Sequence, residues 1–477
     1  MLKLFFKFSY GSWISAIISF FSIPIITSLI IPEEFGKAAM FTLAINFFMQ
    51  IVQLGTDQSF VRFFYEKPEN ERSCLFSTCF FLPLLLTGIF AFFILTFWKP
   101  LSNLLFESLD FKAIILLVIC LLFSVSERFA TLVIRMKQRG NLFSIIKIIN
   151  SVVYAGVVFL YAYYIERNFH AILFASICAC FVCFSIAVFA ERKWYNFKVG
   201  INKIDIKPIL NYGLPFIPIF VISWIFEGMD KIALKTWSTF EEIGLYSAGF
   251  KIVALLTILQ VGFCTFWAPV AVQKYEENHN NTYFFEHVFK YISFILIIAT
   301  VGLILFKDII ILLFASSYRE AAHIMPFLVF VPFMCTLSEI TGVGIGFKKQ
   351  TYWGFVVFSG SALVNFFGNY LLVPFYGAKG AALSTATAYI VFFLLRTYLS
   401  IRLFPMNFNL GKTALTFLLL YVVAGINTFV ANKTIGISCA AIAIFLYSLF
   451  NLSTIKDVFV YFKQIVVKHS TKKSIYQ

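Results

Sequence analysis

Charge is scarce in this chain, and most of it has one sign. Only 13% of the 477 residues are charged, against roughly 25% in a soluble domain, and 23 Asp and Glu stand against 38 Lys and Arg. No polar stretch is long enough to bury a core, so no soluble domain is expected within it. Histidine is thin as well. His170, His279, His287, His323 and His469 fall at helix ends or in loops, which excludes an imidazole relay through the interior. The nine cysteines lie mostly in apolar segments. Cys178, Cys180 and Cys183 cluster, but no His stands near them, so they read as packing residues; no metal site and no disulfide framework is expected. Gly411-Lys412-Thr413 mimics the end of a Walker A loop, yet Met406 stands where its first glycine must be. No nucleotide and no other cofactor is expected. Gly342-x-Gly344-x-Gly346 reads as helix packing or a hinge.

What the chain has is apolar surface. It is 60% hydrophobic with a mean hydropathy of +0.88. Apolar runs of 18 or more residues recur along its length, which makes it an all-α polytopic membrane protein. The runs predict about 14 transmembrane helices, near 8–31, 37–56, 76–98, 112–134, 142–165, 169–190, 208–234, 243–270, 288–314, 321–346, 353–374, 379–401, 413–431 and 434–452. The first follows Lys3 and Lys7 as a signal peptide would. It is too long for one and no A-x-A site follows, so it is expected to stay as a spanning helix. Pro24, Pro215, Pro218 and Pro332 predict kinks.

Lys and Arg favour one side of this arrangement by about three to one, which puts both termini in the cytoplasm. The net charge of +15 is therefore a topology signal with some attraction to anionic lipid, and no nucleic acid is needed to explain it. The tail, KDVFVYFKQIVVK, alternates Lys with apolar residues and is expected to lie on the inner surface as an amphipathic helix.

The chain repeats itself. Ser126-Glu127 matches Ser338-Glu339, and Lys137-Gln138 matches Lys349-Gln350. Pro32-Glu33-Glu34-Phe35-Gly36 matches Phe240-Glu241-Glu242-Ile243-Gly244, and Tyr10-Gly11 matches Tyr212-Gly213. These pairs equate helices 1, 2 and 4 with helices 7, 8 and 10. The plan is two six-helix repeats plus two C-terminal helices: lobes at 1–200 and 201–405, extra helices at 406–455, and a basic tail at 456–477. Six is even, so the pseudo-two-fold axis runs along the membrane normal. Such repeats place a substrate cavity at their interface and rock around it, which predicts a secondary transporter.

Two stretches carry a resemblance. One is 211–253, with Leu214-Pro215, Asp230-Lys231 and the acidic turn leading to Gly244-Leu245-Tyr246-Ser247-Ala248. The other is NFFGNYLLVPFYGAKGAALSTATAYI at 365–390. Both resemble the Wzx-type polysaccharide-biosynthesis flippases of the multidrug/oligosaccharidyl-lipid/polysaccharide exporter superfamily. The resemblance covers essentially the whole chain. Fourteen helices depart from the twelve of many O-antigen flippases. They are similar to the lipid II flippases, where the last two helices are assigned to the lipid tail. The resemblance implies transfer of an undecaprenyl-diphosphate-linked oligosaccharide from the inner to the outer leaflet of a bacterial inner membrane. With no nucleotide site, transport is expected to run downhill or on an ion gradient, with a proton or sodium ion as the candidate coupling partner and a polysaccharide polymerase and chain-length protein as candidate further partners.

Charges inside the spans are the candidate site, because they are costly in lipid. Glu227, Asp230 and Lys231 stand at i, i+3 and i+4 and share a helix face. Glu227 and Lys251 each sit about 12 Å below the outer surface. Either Glu227 and Lys231 bridge and Lys251 snorkels, or these residues line the cavity and a Lys meets the diphosphate. Arg128 faces the cavity or pairs with Glu127. Arg396 is an interfacial anchor or a substrate contact. Glu127 and Glu339 are symmetry mates, and Glu339, with no Arg beside it in sequence, is the better ion-coupling candidate; hydroxyls of Thr336 or Thr341 would otherwise satisfy it. Asp57 and Arg62 read as an end cap of helix 2. A drug exporter would have an acidic or neutral cavity, which the in-helix cations disfavour. A polymerase or ligase needs a sizeable outer loop, and none is long enough.

Overall fold

The computed structural model describes residues 2–195, 203–279, 282–350, 352–430 and 432–450; the expected amphipathic tail lies outside them. Twelve of the described helices are long and apolar enough to cross a membrane. We label the spans α1 (Leu2–Leu29), α2 (Pro32–Val52), α3 (Arg72–Thr96), α4 (Phe111–Met136), α5 (Gly140–Tyr164), α6 (His170–Ala190), α7 (Phe216–Trp237), α8 (Phe240–Glu277), α9 (Tyr283–Leu305) and α10 (Ala321–Thr341). The 51-residue run Trp353–Leu403 turns at Gly377, where φ is 53° and ψ is −131°, so it is two helices, α11 (353–376) and α12 (378–403). A side chain would clash with the backbone there, so the turn needs glycine. The bundle is completed by α13 (Leu410–Phe429) and the shorter apolar α14 (Lys433–Phe450).

The ends differ from expectation in instructive places. The seventh span was expected as one helix over 208–234. Instead a separate helix, Lys203–Gly213, precedes α7. Pro215 sits at the break, where it removes a backbone donor and enforces a turn. The second span stops at Val52, and a short helix, Thr56–Phe63, follows a left-handed turn at Leu54 and Gly55.

Two buried apolar clusters organise the packing. One draws on residues from Ile26 to Ile177, joined by Ile209. The other draws on Ala233 to Tyr447 and reaches across to Ile23, Met40 and Leu43 of α1 and α2. We call the side of the bundle where α1 begins the basic face and the other the far face.

The repeat is visible in matched contacts at the far face. The Glu34 carboxylate accepts the Phe169 backbone N–H at 2.8 Å, at the start of α6. The Glu242 carboxylate accepts the Ala378 N–H at 2.7 Å, at the start of α12. A carboxylate at a helix N-terminus satisfies an orphan donor and meets the positive end of the helix dipole. Gly36 packs on the Phe240 carbonyl and Gly244 on the Pro32 carbonyl, and Pro32 and Phe240 are themselves partners in the repeat.

Candidate functional site: a charged cavity between the repeats

Lys251 lines a small cavity of about 40 Å³ bounded by α1, α2, α5 and α8 and by Phe314. Counting from Phe240, it lies about 16 Å along α8 from the far face. Hydroxyls share the walls with it: Ser19 and Ser22 from α1, Ser151 and Tyr154 from α5. Ser15 and Ser151 are hydrogen-bonded to each other nearby, which ties α1 to α5. Among the described residues no carboxylate forms an ion pair with Lys251. Lys231 lies close enough for the two ammonium groups to repel. A pair of cations held near each other within a bilayer is an anion site in waiting.

Glu227 is exposed and lies within electrostatic reach of Lys231. The expected Glu227–Lys231 bridge is not among the ion pairs of the described residues; Glu227 accepts a long bond from Ser223 at 3.4 Å instead. Asp230 parts company with both. It is 3% exposed and turned into the C-terminal half. There its carboxylate accepts the Tyr246 hydroxyl at 2.6 Å and the Asn369 amide at 2.8 Å. Thr385 adjoins Tyr246 at 3.0 Å, and Asn365 bonds Asn369. The Asn369 Oδ1 is buried with no hydrogen-bond partner among the described residues. This cluster offers a carboxylate and several neutral oxygens with no basic side chain in ion-pair contact among the described residues. Hard monovalent cations and protons suit such a donor set.

The remaining candidates are paired. Arg128 of α4 meets Asp57, not Glu127, at 2.9 Å; Asp57 is 2% exposed while the Arg side chain is 45% exposed. Asp57 is therefore the buried partner of Arg128, where the sequence suggested a helix cap. Arg62 pairs with Glu66 at 2.5 Å. Glu127 lies within electrostatic reach of Lys147 and Arg128. Glu339 is 2.7 Å from Arg396 of α12, so the residue with no Arg beside it in sequence gains one in space. Arg396 also lies over the Phe392 ring.

Tyr246, Asn365, Asn369 and Thr385 were not singled out from sequence as site residues. A signal existed: Asn365 and Asn369 stand at i and i+4 on an otherwise apolar span, where a polar face needs partners.

The halves are joined at the far face. Tyr318 donates to the Ile30 carbonyl at 2.7 Å, the Ala315 N–H to Thr27 at 3.3 Å, and Lys235 meets Glu107 at 2.6 Å. The halves also meet at the basic face, where the Ser59 hydroxyl donates to the Ile209 carbonyl at 2.7 Å and Gly55 lies against Gly213.

No curated protein matches the chain. Among solved structures it is similar to a lipid II flippase, MurJ, in an inward closed conformation, with 19% identity, a TM-score of 0.69, and coverage of 94% of this chain and 99% of that one. It is similar to an inward-facing multidrug resistance MATE family transporter of the MOP superfamily, with 16% identity, a TM-score of 0.62, and coverage of 81% and 95%. It also resembles an outward-facing transporter of that family, at 16% identity and a TM-score of 0.53, over 87% and 96%. At these identities the likeness is one of fold. The family model described as polysaccharide biosynthesis protein matches residues 2–275, more than half of the sequence, and the chain belongs to that family.

Proposed function

We propose that the protein is a flippase. It carries an undecaprenyl-diphosphate-linked oligosaccharide from the inner to the outer leaflet of the bacterial inner membrane, for surface polysaccharide assembly. The basic face is cytoplasmic in this reading, as the lysine excess favours. The carrying observation is Lys251: a cavity-lining cation within a spanning helix, next to Lys231, with no carboxylate in ion-pair contact with it among the described residues. A diphosphate is a ligand that two neighbouring ammonium groups favour, and the Ser and Tyr hydroxyls beside Lys251 suit sugar. Arg128, half exposed in the N-terminal half, takes the diphosphate first; Arg396, in the C-terminal half, holds Glu339. Lobes 1–200 and 201–405 then rock about the cavity, and the far-face contacts open. The product passes to a polymerase outside.

The ion partner is assigned to Asp230 ahead of Glu339 and Glu127. Arg396 neutralises Glu339, and Lys147 and Arg128 lie near Glu127. Asp230 is a buried carboxylate whose hydrogen-bond partners, Tyr246 and Asn369, are neutral. A proton or sodium ion there completes its charge balance.

The test is flipping of a lipid-linked oligosaccharide in vesicles. Lys251→Arg retains transport and Lys251→Glu loses it at equal protein level. Full transport by Lys251→Glu sinks the reading.

A further inference from the structure

The second span does not run on as its counterpart does. At the offset that pairs Gly36 with Gly244, Leu54 and Gly55 match Gly262 and Phe263, and there α8 continues as one helix from Phe240 to Glu277. α2 instead stops at Val52, turns through left-handed angles at Leu54 (φ 49°) and Gly55 (φ 67°), and restarts as the helix Thr56–Phe63. Glycine takes such angles freely. Leucine does not, because its Cβ crowds the carbonyl that follows. A leucine kept in that conformation is held there by its surroundings.

Three contacts hold the bent form. Gly55 and Gly213 lie backbone to backbone, so close that neither has room for a Cβ. The Ser59 hydroxyl donates to the Ile209 carbonyl at 2.7 Å. Asp57, two residues beyond the turn, is 2% exposed and meets Arg128 of α4 at 2.9 Å. The first two contacts latch the short helix to the helix Lys203–Gly213 across the basic face. The third neutralises a guanidinium whose side chain is 45% exposed. One turn therefore bears on two things: whether the basic face is latched, and whether Arg128 has its partner.

We propose that this turn is a switch that withholds Arg128 until the basic face opens. When the halves part there, Gly213 and Ile209 withdraw. Leu54 and Gly55 relax to helical angles, and α2 runs on into 56–63 as α8 does at the matching place. Asp57 follows the redirected chain into water while Arg128 stays on α4, so the pair breaks. The opened face then presents Arg128 as a free cation, and the latched face covers it again. Asp57 is a positioning residue in this scheme. The delivery of an anionic headgroup to the freed Arg128 rests on the flippase reading; the switch itself does not.

The experiment uses the full chain in lipid nanodiscs without substrate. Spin labels carried by unnatural side chains at positions 62 and 207, both exposed, give the distance across the latch and leave the cysteines untouched. Phenylglyoxal with peptide mass spectrometry gives the labelling rate of Arg128. Gly55→Ala cannot keep the turn. It should move the population on the order of tenfold toward a longer distance and speed Arg128 labelling to match. Gly213→Ala, which disturbs the latch but no angle of α2, should act in the same direction. Adding Leu54→Gly to Gly213→Ala should restore the short distance and protect Arg128 again, because the turn then carries no strain. Asp57→Asn should speed labelling with the distance unchanged. A Gly55→Ala protein that melts with the parent yet keeps the short distance overturns the proposal. So does a lengthened distance with Arg128 labelling unchanged, or a Gly213→Ala protein that Leu54→Gly leaves open. Every reading is made without substrate, so the switch can fail while the flippase reading stands.

Discussion

Gly36 and Gly244 occupy the same place in the two repeats, and each lies against the turn that carries the other. A Cβ on Gly36 would overlap the Phe240 carbonyl, and a Cβ on Gly244 would overlap the Pro32 carbonyl. A contact in which i meets j and j meets i marks a two-fold axis. Here both surfaces belong to one chain, and the axis passes between the glycines at the far face. This contact can close only if both positions lack a side chain.

Gly36→Ala and Gly244→Ala should each therefore open the far face. Overpacking costs about 1–3 kcal/mol, a shift of roughly ten- to a hundredfold toward the other-facing state. A thiol placed at Ala248 reports the change. It should label faster from the far side in either alanine variant than in the parent. Equal labelling rates would show that the glycine contact does not hold the gate.

Arg128 and Asp57 form a pair in which one member is buried. Removing the Arg strands a buried carboxylate, at a cost of about 3 kcal/mol. Arg128→Gln should melt lower, and adding Asp57→Asn should restore the melting temperature. Transport should stay low in the double variant, because the cavity has still lost a cation. Recovery of both properties together would make Arg128 a purely structural residue.

Asp230 and Glu339 should separate in an ion-gradient assay. Asp230→Asn keeps the shape of the cluster around Tyr246 and Asn369 but removes its charge, so transport in vesicles should lose its response to a proton or sodium gradient. Glu339→Gln should keep that response, because its charge is matched by Arg396. If the two variants behave the other way round, coupling lies at Glu339. If both respond fully, the membrane potential, worth about 2.3 kcal/mol per charge per 100 mV, remains as the driver.

Topology is open to a direct check. A reporter fused after Gln477 should be active only in a cytoplasm-facing form. Periplasmic activity would invert the assignment of the basic face and the direction of transport with it.

Much of this architecture follows from the sequence alone, because a bilayer leaves so few choices. Backbone groups in hydrocarbon must bond within their own segment, so apolar runs of this length become helices wherever they stand. The repeat was legible too, since the acidic turns at 32–36 and 240–244 preserve their glycine and their capping Glu. The presence of charges at Arg128, Glu227, Lys231, Lys251 and Glu339 was equally plain. Their pairing was not. Asp57 and Arg128 are 71 residues apart, and Glu339 and Arg396 are 57 apart; only the packing of the helices brings each pair within hydrogen-bond distance. Asp230 shows the difference most sharply. Its spacing from Glu227 and Lys231 groups it with them on a helix face, yet α11 and α12 present Asn369 and Thr385 on one flank of α7, and the carboxylate turns toward them. A buried charge goes where its hydrogen-bond donors are, and tertiary structure alone decides where that is.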